Sequence, residues 1–333
     1  MFASTTRNSG AEAPATPDLV VGPVGRIPTW FGIGGGAERL AVLRTRAHVV
    51  RALELDADLR VLGDGANLLV RDAGVSELVV DFKQGKRSDA LSATPIELES
   101  ADAPLARAWM DVAGGRVLAG AGVDLRLLIN ETARAGLAGL EVLVGIPATL
   151  GGALVMNAGG AFGQIADVVR TVFAVDRRGR SVRLERAQIA FGYRQSGLGG
   201  LIVTGAELAL TPTDPARVRE RLLECNDYKK RTQPLAADSA GCVFKNPVAP
   251  RDLSSELGRP SPAGGRVSAG LLLDRAGCKG MSVGGASVSP VHANFVVTTA
   301  GASAGDVLAV MEQAAGRVLD RFGVELEREV VVW

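Results

Sequence analysis

The chain has 333 residues, with Lys+Arg 37 against Asp+Glu 36 and a formal net charge of +1, which argues against nucleic-acid binding through a general basic field. Hydrophobic residues at 47% supply ample core, while 4% aromatics make a base-stacking platform a poor reading. Two histidines, three cysteines (Cys225, Cys242 and Cys278) and no Cys-x-x-Cys or His-x-x-x-His spacing leave no basis for a structural zinc site.

Residues 1–18 mix small and polar types without an apolar run, so a disordered tail rather than a secretory signal is expected. No stretch approaches about 18 uninterrupted apolar residues, so no membrane insertion is expected and the cysteines read as reduced thiols of a cytoplasmic protein. The segment Gly32-Ile-Gly-Gly-Gly-Ala37 fits a loose G-x-G-x-x-A, but Pro28 stands where a Rossmann strand belongs. From Glu38 to Leu55 the positions of Leu40, Leu43, Val50 and Leu53 predict one helix. Leu59–Gly63 and Leu78–Phe82 read as strands, and Trp109–Val112 as another within a polar stretch. Asp124 to Ala135 is an amphipathic helix stopped by Gly136. Gly145 to Gly152 leads into a second helix near Thr149, whose N-terminus is suited to a phosphate. Strands follow at Val168–Val175, Ser181–Leu184 and Leu201–Leu210. Asp214 and Pro215 then open a helix running to about Lys230, with a domain junction near residue 212. Short apolar runs at Val267–Asp274 and Asn294–Val297 precede a helix from Gly305 to Phe322 and a strand from Val324 to Trp333. The class is α+β.

Glycine occurs 42 times, about 19 more than average usage would give. The run Gly63-Asp-Gly-Ala-Asn67 follows a strand, and its glycines allow close backbone approach to an anion, though a tight turn explains them equally well. Two glycine loops in one domain suit a diphosphate held by backbone rather than by cations.

Taken in order, several segments resemble the UDP-N-acetylenolpyruvoylglucosamine reductase family. They are Thr29-Trp-Phe-Gly-Ile-Gly-Gly35, Leu62-Gly-Asp-Gly-Ala-Asn-Leu-Leu-Val70, Gly139 to Pro147 through Asn157-Ala-Gly159, and Phe191-Gly-Tyr-Arg-Gln-Ser196. Ser239-Ala-Gly-Cys-Val-Phe-Lys-Asn-Pro247, Ala269 to Asp274, His292 to Val297 and Leu326-Glu-Arg-Glu-Val330 complete the set, so the resemblance runs from about residue 24 to the end. No tyrosine-bearing loop is inserted between the Tyr-Arg and Ser-Ala-Gly motifs, which resembles the family's shorter type. The resemblance implies a two-part FAD-binding domain of the vanillyl-alcohol-oxidase/PCMH type, at 19–90 and 91–212. A C-terminal α+β substrate-binding domain would follow at 213–322, with 323–333 returning to the active site as a strand. It also implies FAD as cofactor, NADPH as hydride donor and UDP-N-acetylglucosamine enolpyruvate as substrate. A monomer or weak oligomer is expected.

By the same resemblance, Gly63, Gly65, Ala66, Asn67, Gly145, Ile146, Thr149, Gly151 and Gly152 contact FAD. Reducing a double bond beside a carboxylate needs hydride at the β-carbon, relief of the charge that builds on the carboxylate, and a proton at the α-carbon. Arg194, Cys242 and Glu329 match the family's catalytic positions. A guanidinium holds a carboxylate in two places, although Arg194 alone would read as a surface arginine. Cys242 stands where serine is common; a thiol of ordinary pKa keeps the proton-donor role and exposes the site to oxidation. Glu329 shares a strand face with Glu325 and Glu327, which read as solvated. Tyr193, Lys230, Arg231, Lys245 and Asn246 are the expected substrate contacts, and His292 is either a site residue or a packed histidine. Asp64 and Ala66 depart from the usual Gly and Ser, with a lower FAD affinity expected. Two other functions stay open at this level: an FAD-dependent oxidase or dehydrogenase of the same fold, and a non-catalytic flavin or sugar-nucleotide binding protein.

Overall fold

The first lobe is built from strands too short to stand alone: β1 (Val21–Val24), β2 (Ala37–Val42), β3 (Arg60–Leu62), β4 (Leu68–Leu69) and β5 (Val79–Asp81). In this computed structural model, which describes residues 19–83, 90–234 and 237–333, four of them form a sheet of order β1-β2-β5-β3. The tail expected at 1–18 lies outside the described residues. β2 corrects the single helix predicted over Glu38–Leu55: helix α1 covers only Arg46–Leu55 and starts after the extended Thr45. Both neighbours of β2 bond it, β1 antiparallel and β5 parallel, and Ala37 and Ala41 turn inward at even spacing. The glycine run is packed between backbones rather than open to a nucleotide. A Cβ on Gly34 would lie 2.3 Å from Val70 O, one on Gly35 2.3 Å from Gly74 N, and one on Gly36 2.1 Å from Val24 O.

The second lobe begins with β6 (Ala108–Asp111) and β7 (Arg116–Gly120) and continues into α2 (Leu125–Arg134). Asp124 accepts from the N–H groups of Arg126 and Leu127, and Gly136 at φ +74° ends the helix region as expected. Then come β8 (Leu137–Ala138), α3 (Leu150–Val155), a ribbon of β9 (Gly159–Gly160) and β10 (Gly163–Gln164), and the strands β11 (Val169–Val175), β12 (Ser181–Glu185) and β13 (Ile202–Ala209). The longer strands make an antiparallel sheet of order β12-β11-β13-β7-β6, with β11 and β13 buried along most of their length. β14 (Thr211–Pro212) pairs with β8. Helix α4 (Pro215–Thr232), capped by Asp214, lies against α2, β8 and the turn Glu141–Leu143. It therefore packs on the second lobe, and the change of packing partner falls after Thr232 rather than near residue 212.

The third lobe contains α5 (Ser254–Leu257), α6 (Ala269–Arg275), the sheet of β15 (Ser282–Val283), β16 (Ala286–Val288) and β17 (Val296–Thr298), and α7 (Ala304–Phe322). One face of α7 buries Val307, Val310, Met311, Ala314, Val318 and Phe322 in a core that also takes Phe31, Ile33 and Leu69 from the first lobe. The Asp72 carboxylate of the first lobe accepts the Ala304 and Gly305 N–H groups at 2.9 and 3.2 Å, which satisfies two orphan donors of α7. Instead of a strand from Val324 to Trp333, only β18 (Val331–Val332) is regular, and it pairs in parallel with β4. The chain thus returns to the first lobe, and residues 324–330 cross between lobes. Among the described residues no helix is long and apolar enough to cross a membrane, and no group of His, Cys, Asp and Glu is placed to hold a metal.

Candidate active site

Arg194 sits at the tip of a two-residue turn. Gly192 N–H donates to Gln195 O at 2.9 Å and Gln195 N–H returns to Gly192 O at 3.3 Å, leaving Tyr193 and Arg194, both half-buried, at the tip. Arg194 has φ +56°, a conformation that few non-glycine residues adopt and that concentrates at functional sites. Its Nε donates to Glu329 Oε1 at 2.6 Å. Nη1 and Nη2 have no partner among the described residues, so the forked edge of the guanidinium is free for a carboxylate.

Glu329 comes from the segment that crosses between lobes. Its N–H donates to Val243 O at 2.8 Å, and its carbonyl accepts the Asn67 side-chain amide at 3.0 Å. Burial pushes its carboxyl above the usual carboxylate range, with the Arg194 guanidinium pulling the other way. Glu327, two residues earlier, points outward to Lys245 Nζ at 2.5 Å. Cys242 follows Gly241 at φ +74° and bridges to Phe295. Burial pushes its thiol up to about 12, the Glu329 charge adds to this, and Arg194 and an Asn294 hydrogen bond oppose it. That shift works against the oxidation expected of an ordinary thiol, because the thiolate is the reactive species. Three residues 48 or more positions apart in sequence are therefore brought into one electrostatic cluster.

The expected substrate contacts separate. The Tyr193 hydroxyl accepts Asn246 N–H at 3.2 Å, and two cations approach its ring, with Arg266 Cζ 4.1 Å and Arg194 Cζ 5.2 Å from the centroid. Asn246 Oδ1 is committed to Ala269 N–H at the start of α6. Lys245 is bound to Glu327, as above. Lys230 and Arg231 are exposed and line a surface groove with Glu224 and Asp227. The inward member of the run Lys229-Lys230-Arg231 is Lys229, 6% exposed and not among the expected contacts. A Cβ on Gly145 would lie 3.0 Å from Lys229 Cδ and 3.9 Å from its Nζ. Burial, opposed by Cys225 and helped by the Arg194 charge, lowers this ammonium to about 8. The signal was available, because Val218, Cys225 and Lys229 recur on one helical face of α4. His292 packs edge-on against Phe295 with ring centroids 4.9 Å apart, the packed-histidine alternative.

The two glycine segments expected to hold FAD meet. A Cβ on Gly63 would lie 3.3 Å from Thr149 Oγ1 and 4.0 Å from Gly152 Cα. No protein acceptor bonds the N–H groups of Gly63, Asp64, Gly65, Ala66 or Asn67 among the described residues, which leaves five consecutive donors for an anion. The end of α3 is different. The Leu150 and Gly151 N–H groups donate to Val123 O and Ala121 O, and that of Gly152 to Thr149 Oγ1, so its first-turn donors are spent. This corrects the picture of a helix N-terminus offering N–H groups to phosphate. Gly65 at φ +68° serves a close approach, since its Cβ would meet Pro28 O at 2.3 Å. Asp64 is paired with Lys83 Nζ at 3.0 Å and the Trp30 indole N–H at 2.9 Å, so its charge is countered locally. A diphosphate group fits this donor set.

A family model described as the FAD binding domain matches residues 43–185, and one described as UDP-N-acetylenolpyruvoylglucosamine reductase, C-terminal domain, matches 233–333. The UDP-N-acetylenolpyruvoylglucosamine reductase of Desulfosudis oleivorans is 39% identical over 316 residues, covering 91% of each chain. That of Moorella thermoacetica is 36% identical over 318 residues, covering 93% of this chain and 91% of its own. The crystal structure of the Thermus caldophilus reductase superposes with a TM-score of 0.72 at 36% identity, over 95% of this chain and 100% of that one. With two matched domains in the expected order and relatives alike over nine-tenths of their length, the chain belongs to the UDP-N-acetylenolpyruvoylglucosamine reductase family.

Proposed function

We propose that this protein is an FAD-dependent oxidoreductase that uses NADPH to reduce the enolpyruvyl ether of UDP-N-acetylglucosamine enolpyruvate, giving UDP-N-acetylmuramate for peptidoglycan synthesis. The observation that carries the reading is the cluster of Arg194, Glu329 and Cys242: a half-free guanidinium, a buried carboxyl and a protonated thiol from three parts of the chain. FAD, when bound, accepts hydride from NADPH and supplies it from N5 to the β-carbon of the substrate.

The free edge of Arg194 holds the substrate carboxylate and opposes the charge that grows on it as hydride arrives. Glu329 fixes the guanidinium through Nε and leaves that edge presented. Cys242 gives its proton to the α-carbon, and its raised pKa keeps the proton in place until the carbon becomes basic. The open amides of 63–67 hold the FAD diphosphate, with Gly145, Ile146, Thr149, Gly151 and Gly152 forming the opposite wall and Lys229 supplying a buried positive charge. Tyr193, Asn246 and Arg266 flank the substrate. Residues 19–90 and 91–232 form the FAD-binding part, and 233–322 the substrate part, closed by 323–333. The same reading makes the protein a cytoplasmic enzyme working as a monomer or weak oligomer.

The test is anaerobic. Enzyme bleached with NADPH is mixed with UDP-N-acetylglucosamine enolpyruvate, and flavin absorbance is expected to recover with one product per flavin. Bleaching without recovery rejects the substrate. Purified protein without flavin, and unable to take it up, rejects the cofactor reading.

A further inference from the structure

Among the described residues only two non-glycine residues have positive φ, Arg194 at +56° and Asn157 at +43°. A single carbonyl joins them. Asn157 Nδ2 donates at 2.8 Å to Gly192 O, the atom at the base of the turn that carries Arg194. We infer that Asn157 is a positioning residue that aims the Arg194 guanidinium, an assignment that rests on the catalytic reading of Arg194 given above.

Asn157 follows the end of α3, where its N–H donates to Leu154 O and the Ala158 N–H donates to Ala153 O, the paired bonds of a glycine-type helix stop. Glycine takes that conformation freely, and asparagine is the usual alternative. What marks this asparagine is where its side chain bonds. It is 1% exposed, with both donors used and its oxygen engaged: Nδ2 donates to Gly192 O and to Gln164 Oε1 at 3.0 Å, and Oδ1 accepts Ala166 N–H at 3.3 Å. Reversing the amide would set oxygen against two oxygens, so the network fixes its orientation. Beside it, Ser196 Oγ donates to Val155 O at 2.7 Å, so both sides of the turn hang from the end of α3. Beyond the turn, the tip is restrained by the Glu329 contact on Arg194 and by the Asn246 and Arg266 contacts on Tyr193. A shift of about 1 Å in an oriented group costs about a hundredfold in rate, so the anchor at Gly192 O sits where small movement matters most.

The experiment is a double-mutant cycle on the holoenzyme. Asn157→Gly keeps the left-handed backbone and both helix-stop bonds and removes only the carboxamide. Rates of flavin reduction by NADPH and of anaerobic reoxidation by UDP-N-acetylglucosamine enolpyruvate are measured for the parent, N157G, R194A and the double variant. The expected result is reoxidation slowed about 10–100-fold in N157G, reduction by NADPH within about twofold, and no further slowing when N157G is added to R194A. Calorimetric binding of UDP-N-acetylmuramate should weaken in N157G as it does in R194A. Unchanged reoxidation in N157G, or an equal loss in both backgrounds, overturns the proposal. An R194A enzyme that reoxidises at the parent rate would instead overturn the catalytic reading of Arg194. Should N157G not fold, Asn157→Asp, which keeps the acceptor and tolerates positive φ, carries the same cycle; failure of both to fold reduces Asn157 to a helix-end residue and rejects the inference.

Discussion

The glycine-bearing runs Gly32–Gly36 and Gly63–Asn67 lie on the same lobe, yet they do different things. In the first, the missing side chains let backbones touch: Gly34, Gly35 and Gly36 are pressed against Val70, Gly74 and Val24. In the second, five consecutive amides lack a protein acceptor among the described residues, and Gly63 lies beside Thr149 and Gly152. Gly241 belongs with the second group, because nothing lies within 4 Å of its absent Cβ and Cys242 follows it. The difference lies in what occupies the vacated volume. At Gly34–Gly36 it is filled by backbone; at Gly63 it is bordered by a side-chain hydroxyl, while Gly65, packed on Pro28 O, is structural within the second run.

Substitutions on the two sides should therefore damage different quantities. On the open side, Cys242→Ala should leave reduction by NADPH intact and slow reoxidation by substrate about 10²–10⁴-fold, while Cys242→Ser retains substantial activity. Equal rates for Cys242→Ala and the parent would remove Cys242 from proton transfer. On the packed side, Gly36→Ala should cost about 3 kcal/mol or more in denaturant unfolding, because its methyl would meet Val24 O. Gly63→Ala, with a neighbour at 3.3 Å that is a side-chain hydroxyl, should leave stability within about 1 kcal/mol of the parent. Its FAD affinity, read by flavin fluorescence, should nonetheless fall about tenfold. If Gly63→Ala unfolded the protein and Gly36→Ala did not, the contrast would be reversed.

Titration sharpens the same contrast within the open side. With Cys242 raised to about 12, its proton is retained as pH rises, so the reoxidation step should keep its rate well past the ordinary thiol value near 8.5. Lys229, lowered to about 8, loses its charge above that pH, so FAD affinity should decline there while the rate of the bound enzyme holds. A rate limb near 8.5 in parent but not in Cys242→Ser would mean a thiol of ordinary acidity. The smallest effect is expected at Lys83→Ala, which leaves Asp64 with the Trp30 indole alone and should weaken FAD binding a few-fold, less at high salt.

Local chemistry made the capped helices legible: Asp124 before α2 and Asp214-Pro215 before α4 announce their own starts. The segment Glu38–Val42 was illegible because a strand bonded on both edges is specified by partners far along the chain, β1 and β5. The catalytic trio was readable only through the resemblance, since Arg194, Cys242 and Glu329 carry no common spacing. Lys229 was readable in principle from the period of α4. The work of Asn157 and of the Asn67 amide was not, because each depends on a carbonyl 35 and 262 residues away.

Asn67 has a consequence for how the two ligands feel each other. Its backbone belongs to the row of open amides, its side chain holds Glu329 O at 3.0 Å, and its carbonyl accepts Val331 N–H at 3.0 Å. Whatever firms that loop also firms the segment bearing Glu329. Reciprocity then follows from thermodynamics alone: the factor by which flavin tightens the hold on the sugar nucleotide is the factor by which the sugar nucleotide tightens the hold on flavin, whichever arrives first.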